Sequence, residues 1–441
     1  MSPLQAGIAT VDITPYIGIW LAGFAGRKKP SQGVHDPLRS RALVLEDGEK
    51  RLCLITNDML SINYETADEI KAAIQAECDL PPECVMINHS HTHSGPTARK
   101  GVSAVGHKPD DCYMEVYVRK IVSAVTLALQ NLQPARLGYA RTPVQIGINR
   151  RERTAEGGTR IGRNPDLPVA PYVDVYRIDS ESGAPRAVLF THACHAVTRA
   201  ADNYFISADY PGQAQAVVET VFPGAQALFA QGCAGNINSE PVGGSFEDVW
   251  RLGTILGGAV VQAAATCRPE AEVKLGSVLR SVQVPLQDPP SLEEAQAQHE
   301  AAEARLRAIE QEGDPTQIRI QQGTVNWTGR VLKLAEDGAK NLGMRYDIQA
   351  FALNDAVIVG LAGEVFVEYQ LNIAKASPFD FTSVLGVTNG CPAYLPTAAE
   401  MPFGGYEVQD SMRFYGTTQL APACEQTILD AAAGVLQELK S

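Results

Sequence analysis

Short apolar runs alternate with amphipathic stretches through the first half of the chain, and this alternation limits what the chain can fold into. An apolar run at residues 52–56 precedes a helical pattern at 66–77, and a second apolar run follows at 85–88. Alternation of this kind is typical of sheets whose faces are covered by helices. We therefore predict an α/β or α+β fold in which helices flank mixed β-sheets.

The later sequence extends this pattern and adds one region of different composition. We predict helices at 114–132, 252–266 and 423–439 and a helix that opens at Pro211. We predict strands at 187–191, 227–230 and 383–388, and a hairpin formed by 347–353 and 356–361. Residues 291–313 are rich in Ala, Glu, Gln and Arg with a thin apolar stripe. This composition predicts a helical arm or insertion at 290–345, with a structural or homo-oligomeric role favoured over that of a substrate lid.

Domain organisation, net charge and the lack of a signal sequence pattern indicate which partners and which cellular location to expect. We predict a single domain over residues 1–441 without a C-terminal β-sandwich domain. The formal net charge of -13 disfavours nucleic acid and anionic membranes as partners. The N-terminus lacks a cationic stretch followed by an apolar run, and the nine scattered cysteines form no CxxC pair. We expect a cytoplasmic protein with reduced thiols, a small-molecule substrate and no stable membrane association.

Three histidines at alternate positions follow the apolar run at 85–88. They are His89, His91 and His93, and the chain contains eight histidines in total. In an extended backbone, alternate side chains point to the same side. Imidazoles at this spacing suit a metal such as zinc, with one ring as ligand and a neighbour as acid or base. A polar surface loop is the alternative, but the clustering favours a metal or catalytic site.

Further ligands must come from other strand ends. His192 and His195 close the apolar run at 187–191, and Glu364 follows the second strand of the predicted hairpin. Active sites of α/β proteins form where the carboxyl ends of strands converge. Taken alone, either histidine is more often a hydrogen-bonded core residue and Glu364 more often a surface carboxylate.

Several segments together resemble the catalytic domain of the neutral/alkaline non-lysosomal ceramidase family and its bacterial relatives. The resemblance is carried by the opening at residues 7–15, by Leu38-Arg-Ser-Arg-Ala42 and above all by His91-Thr-His-Ser-Gly-Pro96. It implies a zinc ion bound by two histidines, a glutamate and a tyrosine, which fall on His91, His195, Glu364 and Tyr394. It also implies a second histidine, an arginine and a second tyrosine beside the metal, which fall on His93, Arg150 and Tyr406.

One position departs from the family pattern. The family's active-site serine falls on Asn238 in Gly235-Asn-Ile-Asn238, and the neighbouring Ser239 is expected to point elsewhere. We therefore predict that metal-activated water replaces serine, with Tyr406 or Asn238 donating to the developing oxyanion. His93 is predicted to act as general base and then as general acid, and Arg150 to pair with an anionic group of the substrate.

The sequence thus predicts a zinc-dependent hydrolase, of the amidohydrolase or esterase type, that cleaves an amide, ester or lactone bond. Because no apolar patch suited to lipid is visible in the sequence, a small polar substrate is expected rather than ceramide. Two alternatives stay open. The same site could serve a metal-dependent lyase or isomerase, or the fold could belong to a non-catalytic binding protein.

Overall fold

The computed structural model describes residues 3–99 and 107–441. Within these ranges the strands are β1 (Gln5–Asp12), β2 (Gly33–Val34), β3 (Arg39–Glu46), β4 (Arg51–Asn57), β5 (Val85–His89), β6 (Gln133–Pro143), β7 (Gly147–Asn149), β8 (Arg151–Arg153), β9 (Thr159–Ile161), β10 (Tyr172–Ser180), β11 (Pro185–His192), β12 (Phe205–Ile206), β13 (Gln226–Gln231), β14 (Ile237–Ser239), β15 (Leu275–Pro285), β16 (Gly343–Leu353), β17 (Ala356–Leu361), β18 (Glu364–Val365), β19 (Phe381–Leu385) and β20 (Tyr394–Leu395).

The helices of the same ranges are α1 (Tyr64–Cys78), α2 (Asp111–Gln130), α3 (Asp209–Val221), α4 (Phe246–Thr266), α5 (Leu292–Glu312), α6 (Pro315–Glu336), α7 (Val367–Ala376), α8 (Met412–Tyr415) and α9 (Ala423–Lys440). Short 3-10 turns lie at Pro82–Cys84 and Met401–Phe403, and a π-helical turn lies at Tyr406–Asp410.

Two sheets pack face to face at the centre of the fold. The larger sheet has the strand order β13-β11-β10-β6-β1-β3-β4-β5, and the smaller has the order β15-β16-β17-β19. Most neighbours are antiparallel, whereas β4 with β5, β11 with β13 and β17 with β19 are parallel. Leu54 and Leu189 of the larger sheet share a buried apolar cluster with Phe351 of the smaller one.

Helices cover both outer faces of this pair of sheets. Helices α1 and α2 bury their apolar sides against β1, β3, β4 and β5, and α3 and α4 cover the opposite end of the larger sheet. Helices α7 and α9 pack on the outer face of the smaller sheet. The result is a four-layer α/β/β/α arrangement, which confirms the predicted fold class of mixed sheets flanked by helices.

The helical arm is a hairpin of α5 and α6. Ser291 begins α5 with a capping box, because its side chain accepts from the backbone of Glu294 and the Glu294 carboxylate accepts in return from Ser291. Trp327 of α6 donates a 2.8 Å hydrogen bond to the carbonyl of Thr417, so the arm is fixed to the segment after α8. Among the described residues, no helix is both long and apolar enough to cross a membrane.

One predicted strand is too long. The prediction extended it from 383 to 388, but β19 ends at Leu385. Val387 and Asn389 have φ angles of 46° and 57°, which lie in the left-handed region. An extended strand cannot contain such angles, so the chain turns at this point.

Candidate metal centre

The carboxyl ends of β5, β11 and β17 meet at one edge of the two sheets. The residues that follow these strands include His91, His195 and Glu364, and all three side chains are buried. Parallel pairing of β4 with β5 and of β11 with β13 aligns strand ends at this edge. The structure therefore brings together residues that are far apart in the sequence.

His91 reaches the site through an unusual backbone conformation. Its φ angle is 62°, in the left-handed region that residues other than glycine seldom adopt. The backbone N–H of His91 donates to Met59, and its ring Nδ1 donates to the carbonyl of Leu60 at 2.8 Å. These bonds leave Nε2 of His91 directed into the site. Such strain is a common feature of functional turns.

The expectation that His89, His91 and His93 all point to the same side is wrong for His89. His89 is the last residue of β5, and its Nε2 lies 3.4 Å from the hydroxyl of Tyr117 in α2. The strict alternation of a strand ends there, because the left-handed turn at His91 changes the direction of the chain. His192 is also a core residue, since its Nδ1 donates to the carbonyl of Tyr172.

Three ligand atoms form a nearly equilateral triangle. Nε2 of His91 lies 3.1 Å from Nε2 of His195 and 3.2 Å from Oε2 of Glu364, and His195 and Glu364 are 3.1 Å apart. Nδ1 of His195 donates to Ala234, so Nε2 of both imidazoles carries a lone pair directed into the site. Nη1 of Arg150 lies 3.4 Å from Nε2 of His195, a long contact for a hydrogen bond. For metal–ligand bonds near 2.0 Å, tetrahedral geometry places ligand atoms about 3.3 Å apart. The triangle therefore fits a metal ion.

The charges at this triangle also suit a cation. Burial raises the pKa of the Glu364 carboxyl, but the neighbouring His91 and His195 outweigh it and hold the pKa well below the usual range. Burial, together with the charge of Arg150, lowers the pKa of His195 to about 4. At neutral pH the site thus combines a carboxylate with a neutral His195 imidazole.

Tyrosines surround the carboxylate of Glu364. Tyr394 in β20 pairs with Glu364 in β18, so the two residues lie side by side. The ring of Tyr406 lies 5.6 Å from that of Tyr394. Tyr415, which the sequence analysis missed, donates its hydroxyl proton to Oε1 of Glu364. Nothing in the local sequence singles out Tyr415, because it lies in a four-residue helix between loops.

His93 occupies a different environment from the two other histidines of the site. One ring nitrogen from each of His91, His93 and His195 lies within 4.8 Å of the others. Neither ring nitrogen of His93 has a hydrogen-bond partner among the described residues. Burial and the adjacent His91 and His195 lower its pKa well below the usual value. His93 is therefore neutral and buried, and both of its ring nitrogens are available to hydrogen-bond a group in the site.

Arg150 and Asn238 lie beside the triangle and contact one another. Strand β7 pairs with β14, which places Arg150 next to Asn238. Nη1 of Arg150 donates to Oδ1 of Asn238 at 3.1 Å, and Nε donates to Glu407 at 2.7 Å. Arg150 was predicted to pair with an anionic group of the substrate; in the structure Glu407 compensates its charge, while its Nη2 has no hydrogen-bond partner among the described residues. Ser239 points away and donates to the carbonyl of Pro241.

A chain of buried ion pairs leads from Arg150 toward the surface. Glu407 also accepts from Arg151 at 2.7 Å, and Arg151 in turn donates to Glu400 at 2.7 Å. Arg153 contacts the same Glu400 at 2.6 Å. These pairs attach β8 to the late loop that contains Tyr406. Because Arg151 and Glu407 are almost completely buried, removal of either partner leaves an uncompensated charge.

A cavity of about 430 Å³ opens in front of the triangle. Glu364, His93, Arg150, Asn238, Tyr394 and Tyr406 all contribute to its lining. The remaining lining is mainly apolar and includes Leu21, Phe24, Leu60, Ile161, Val197, Val242 and Phe414. The expectation that no surface suited to lipid is present is therefore wrong, and a small polar substrate is a poor fit to this lining. These apolar residues come from separate loops, and the sequence gives no sign that they converge.

Comparison with known proteins identifies the family. The family model described as neutral/alkaline non-lysosomal ceramidase, N-terminal, matches residues 4–247, which is more than half of the 441-residue chain. The chain belongs to this family. The predicted family resemblance is thus confirmed. His91, His93, Arg150, His195 and Asn238 lie within the matched residues, whereas Glu364 and the three tyrosines lie beyond them.

Individual relatives agree with this assignment. The chain is 27% identical over 234 residues to neutral ceramidase A of Dictyostelium discoideum, a match that covers 48% of this chain and 31% of the relative. The matched part thus spans about a third of that curated protein. A solved structure described as a ceramidase complexed with C2 has a TM-score of 0.74 at 19% identity, and covers all of this chain and 76% of the other.

A second solved structure, a neutral ceramidase from Pseudomonas aeruginosa, has a TM-score of 0.73 at 21% identity. That match covers all of this chain and 75% of the other. At these identities the two structures establish the common fold.

Proposed function

We propose that the protein is a zinc-dependent hydrolase that cleaves the amide bond of an N-acyl lipid, the bond type that ceramide contains. The observation that carries this proposal is the triangle of ligand atoms from His91, His195 and Glu364, with sides of 3.1–3.2 Å. Family membership supports amide hydrolysis, and the apolar cavity supports a substrate with a long acyl chain. A zinc ion, when bound, supplies Lewis acidity that polarises a carbonyl and activates water.

His93 is the residue suited to move the proton. Its ring nitrogens lack partners in the described part of the chain, whereas His91 and His195 are each fixed by a backbone carbonyl. A neutral imidazole can accept the proton of the attacking water and then deliver it to the departing amine nitrogen. His93 is therefore assigned to acid–base catalysis, and the first two histidines to metal binding.

Asn238 stands where the family pattern has its active-site serine, so an amide replaces the serine hydroxyl. The orientation of this amide is fixed. Because Arg150 can only donate, the atom of Asn238 that accepts from it must be the oxygen. Nδ2 of Asn238 is then left to donate to the substrate carbonyl oxygen in the cavity. An amide side chain is not a nucleophile, so water is the attacking group. Asn238 contributes to oxyanion stabilisation, together with the hydroxyl of Tyr406.

The test combines metal analysis with product analysis. We expect elemental mass spectrometry to find about one zinc ion per chain in the parent and almost none in His91→Ala. His299→Gln is the matched control, because His299 lies on the arm and bonds Thr328 there. Equal zinc in the parent and in His91→Ala would place the metal elsewhere.

Turnover is then measured with N-lauroylethanolamine and with a short-chain ceramide in ¹⁸O-labelled water. Hydrolysis places the label in the released fatty acid. Cleavage without label would indicate a lyase, and zinc binding without turnover of any amide or ester would favour a binding protein. The proposal predicts labelled fatty acid from the parent and from His299→Gln, and none from His93→Ala.

A further inference from the structure

Among the described residues, two arginines line the cavity, and they differ in how their charge is compensated. Arg150 is paired with Glu407 and also donates to Asn238. Arg99 has no carboxylate partner in residues 3–99 and 107–441, and its Nε is buried without a hydrogen-bond partner there. Nη2 of Arg150 also lacks a hydrogen-bond partner among the described residues, but the charge of Arg150 is already compensated by Glu407. The uncompensated cation in the lining of this cavity is therefore Arg99.

The surroundings of Arg99 make an anionic ligand favourable. Its guanidinium carbon lies 4.3 Å from the ring centroid of Tyr415, a contact that offsets part of the cost of desolvation. Ala98 and Phe414 also line this part of the cavity and offer no counter-charge. A cation in apolar surroundings binds an oxyanion more strongly than a cation in water does, because solvent competes less.

His107 also lines the cavity but adds no positive charge at neutral pH. Its ring stacks on Trp20 with centroids 3.3 Å apart. Burial lowers the pKa of His107 to about 4, and the nearby Arg319 acts in the same direction. The imidazole is thus a neutral part of the cavity lining, and charge selectivity in the cavity depends on the guanidinium of Arg99.

Arg99 is separated from the metal ligands by one side chain. The ring that it covers belongs to Tyr415, and the hydroxyl of that ring donates to Glu364. An anion bound to Arg99 therefore lies a few bonds from an amide held at the triangle. The long acyl chain can then occupy the apolar part of the cavity near Ile161 and Val242.

We infer that Arg99 binds an acidic headgroup of the substrate, so that the preferred substrate is an N-acyl amine with a carboxylate, sulfonate or phosphate a few bonds from the amide nitrogen. This inference rests on the proposed function for the reaction, but it concerns the charge of the substrate. Arg99 then has the anion-binding role that was predicted for Arg150 from the sequence.

The test uses two amides that differ in one group. N-lauroyltaurine and N-lauroylethanolamine share the acyl chain and the two-carbon spacer, and they end in a sulfonate and a hydroxyl. Below their micelle concentrations, we expect zinc-loaded parent protein to show a kcat/KM about tenfold or more higher for the taurine amide. Arg99→Gln should remove this preference by raising the KM for the taurine amide. The kcat/KM for the ethanolamine amide should stay within about twofold of the parent value.

Two further variants serve as controls. Arg99→Lys keeps the charge and should retain part of the preference. Arg163→Gln removes an exposed arginine that pairs with Glu240, and it should behave as the parent. Absence of a preference in the parent, or an equal loss on both amides in Arg99→Gln, would overturn the inference. The latter result would show that Arg99 only holds Tyr415 in place.

A binding measurement separates this inference from the proposed reaction. If zinc-loaded protein cleaves neither amide, the proposed function fails, and calorimetric titration with the same pair still decides the role of Arg99. Tighter binding of the taurine amide by the parent, lost in Arg99→Gln, would support the inference. Equal affinities for the two amides in the parent would overturn it.

Discussion

The two walls of the cavity are built in different ways. The metal wall consists of His91, His195 and Glu364, whose polar atoms are fixed by backbone carbonyls and by Tyr415. The loop wall consists of residues 21–25, which are irregular, mainly apolar and line the same cavity next to His93. The metal wall thus depends on hydrogen bonds made to each ligand. The loop wall depends on contacts between segments that are far apart in the sequence.

Arg27 shows how the loop wall is kept in place. Its buried guanidinium donates to the carbonyls of Ala22, His93 and Asn203, and thereby joins three segments. Burial lowers the pKa of Arg27 to about 10, and it has no ion-pair partner among the described residues. One side chain therefore couples the loop wall to His93. Substitutions in each wall should therefore have different effects on zinc binding and on turnover.

The largest effect is expected for Glu364→Gln in the metal wall. The substitution keeps the shape of the side chain and removes its negative charge, which leaves two neutral imidazoles as the main ligands. We expect zinc content to fall to roughly a tenth or less and amide hydrolysis to fall by about a thousandfold or more. Elemental analysis and a hydrolysis assay measure this, with circular dichroism as the control for folding. Retention of zinc would show that Glu364 is not a ligand.

A smaller effect is expected for Gly23→Ala in the loop wall. Gly23 has a φ of 91°, and an added Cβ would lie 2.3 Å from Nδ1 of His93. The His93 ring must move, so we expect kcat to fall by about a hundredfold while zinc stays bound. Gly26→Ala is the matched control, because an added Cβ there meets nothing within 4 Å in the described structure. Similar kcat values for the two variants would contradict the assigned role of His93.

Tyr415→Phe tests whether the hydroxyl of Tyr415 stabilises the metal wall through its hydrogen bond to Glu364. The variant removes the hydroxyl that donates to Glu364 and keeps the ring beneath Arg99. Hydrogen bonds to metal ligands typically contribute ten- to a hundredfold to metal affinity, and we expect a decrease in that range. Competition with a zinc-binding dye gives the dissociation constant. An unchanged constant would mean that Glu364 is positioned by its own strand alone.

The smallest effect concerns Lys71, a buried lysine of α1. Burial lowers the pKa of Lys71 to about 8, and its ammonium group contacts Gln349 at 3.4 Å. The folded protein releases this proton near pH 8, whereas the unfolded chain keeps it until about pH 10.5. Stability contributed by this residue therefore rises with pH, by about 1 kcal/mol between pH 7 and pH 9.

Lys71→Met should lack this rise and keep both walls unchanged. Urea unfolding at pH 7 and pH 9 measures the difference between parent and variant, so that other titrating groups cancel. We expect equal zinc content and equal hydrolysis in the two proteins at pH 7. A parallel pH dependence of stability in both would show that Lys71 is solvated in the folded state.

Much of the metal wall can be predicted from the sequence, because each ligand follows a recognisable apolar run. The motif at His91 identified the family, and the strand before His195 was visible from its composition. The orientation of His89 could not be predicted, since it depends on the left-handed angle at His91. The pairing of Arg150 with Glu407 was also missed, because those residues meet through folding of a loop without periodicity.

The loop wall could not be predicted from the sequence at all. Residues 21–25 contain no strand or helix signal, and their apolar side chains look like isolated surface residues. Only the folded chain shows that Phe24 and Val242 border the same cavity. The small polar substrate expected from the sequence is a poor fit for this reason. A cavity formed by several loops is a property of tertiary packing and leaves no local pattern.

The order of the ligands along the chain has a consequence for biosynthesis. His91 and His195 leave the ribosome well before Glu364, and Tyr415 follows close to the end of the chain. Because protein synthesis adds about 5–20 residues per second, a nascent chain displays two histidines for many seconds before the carboxylate arrives. Zinc captured during this interval would be weakly bound and open to exchange. The ion that the finished protein retains would therefore be selected only after Glu364 has joined the two histidines.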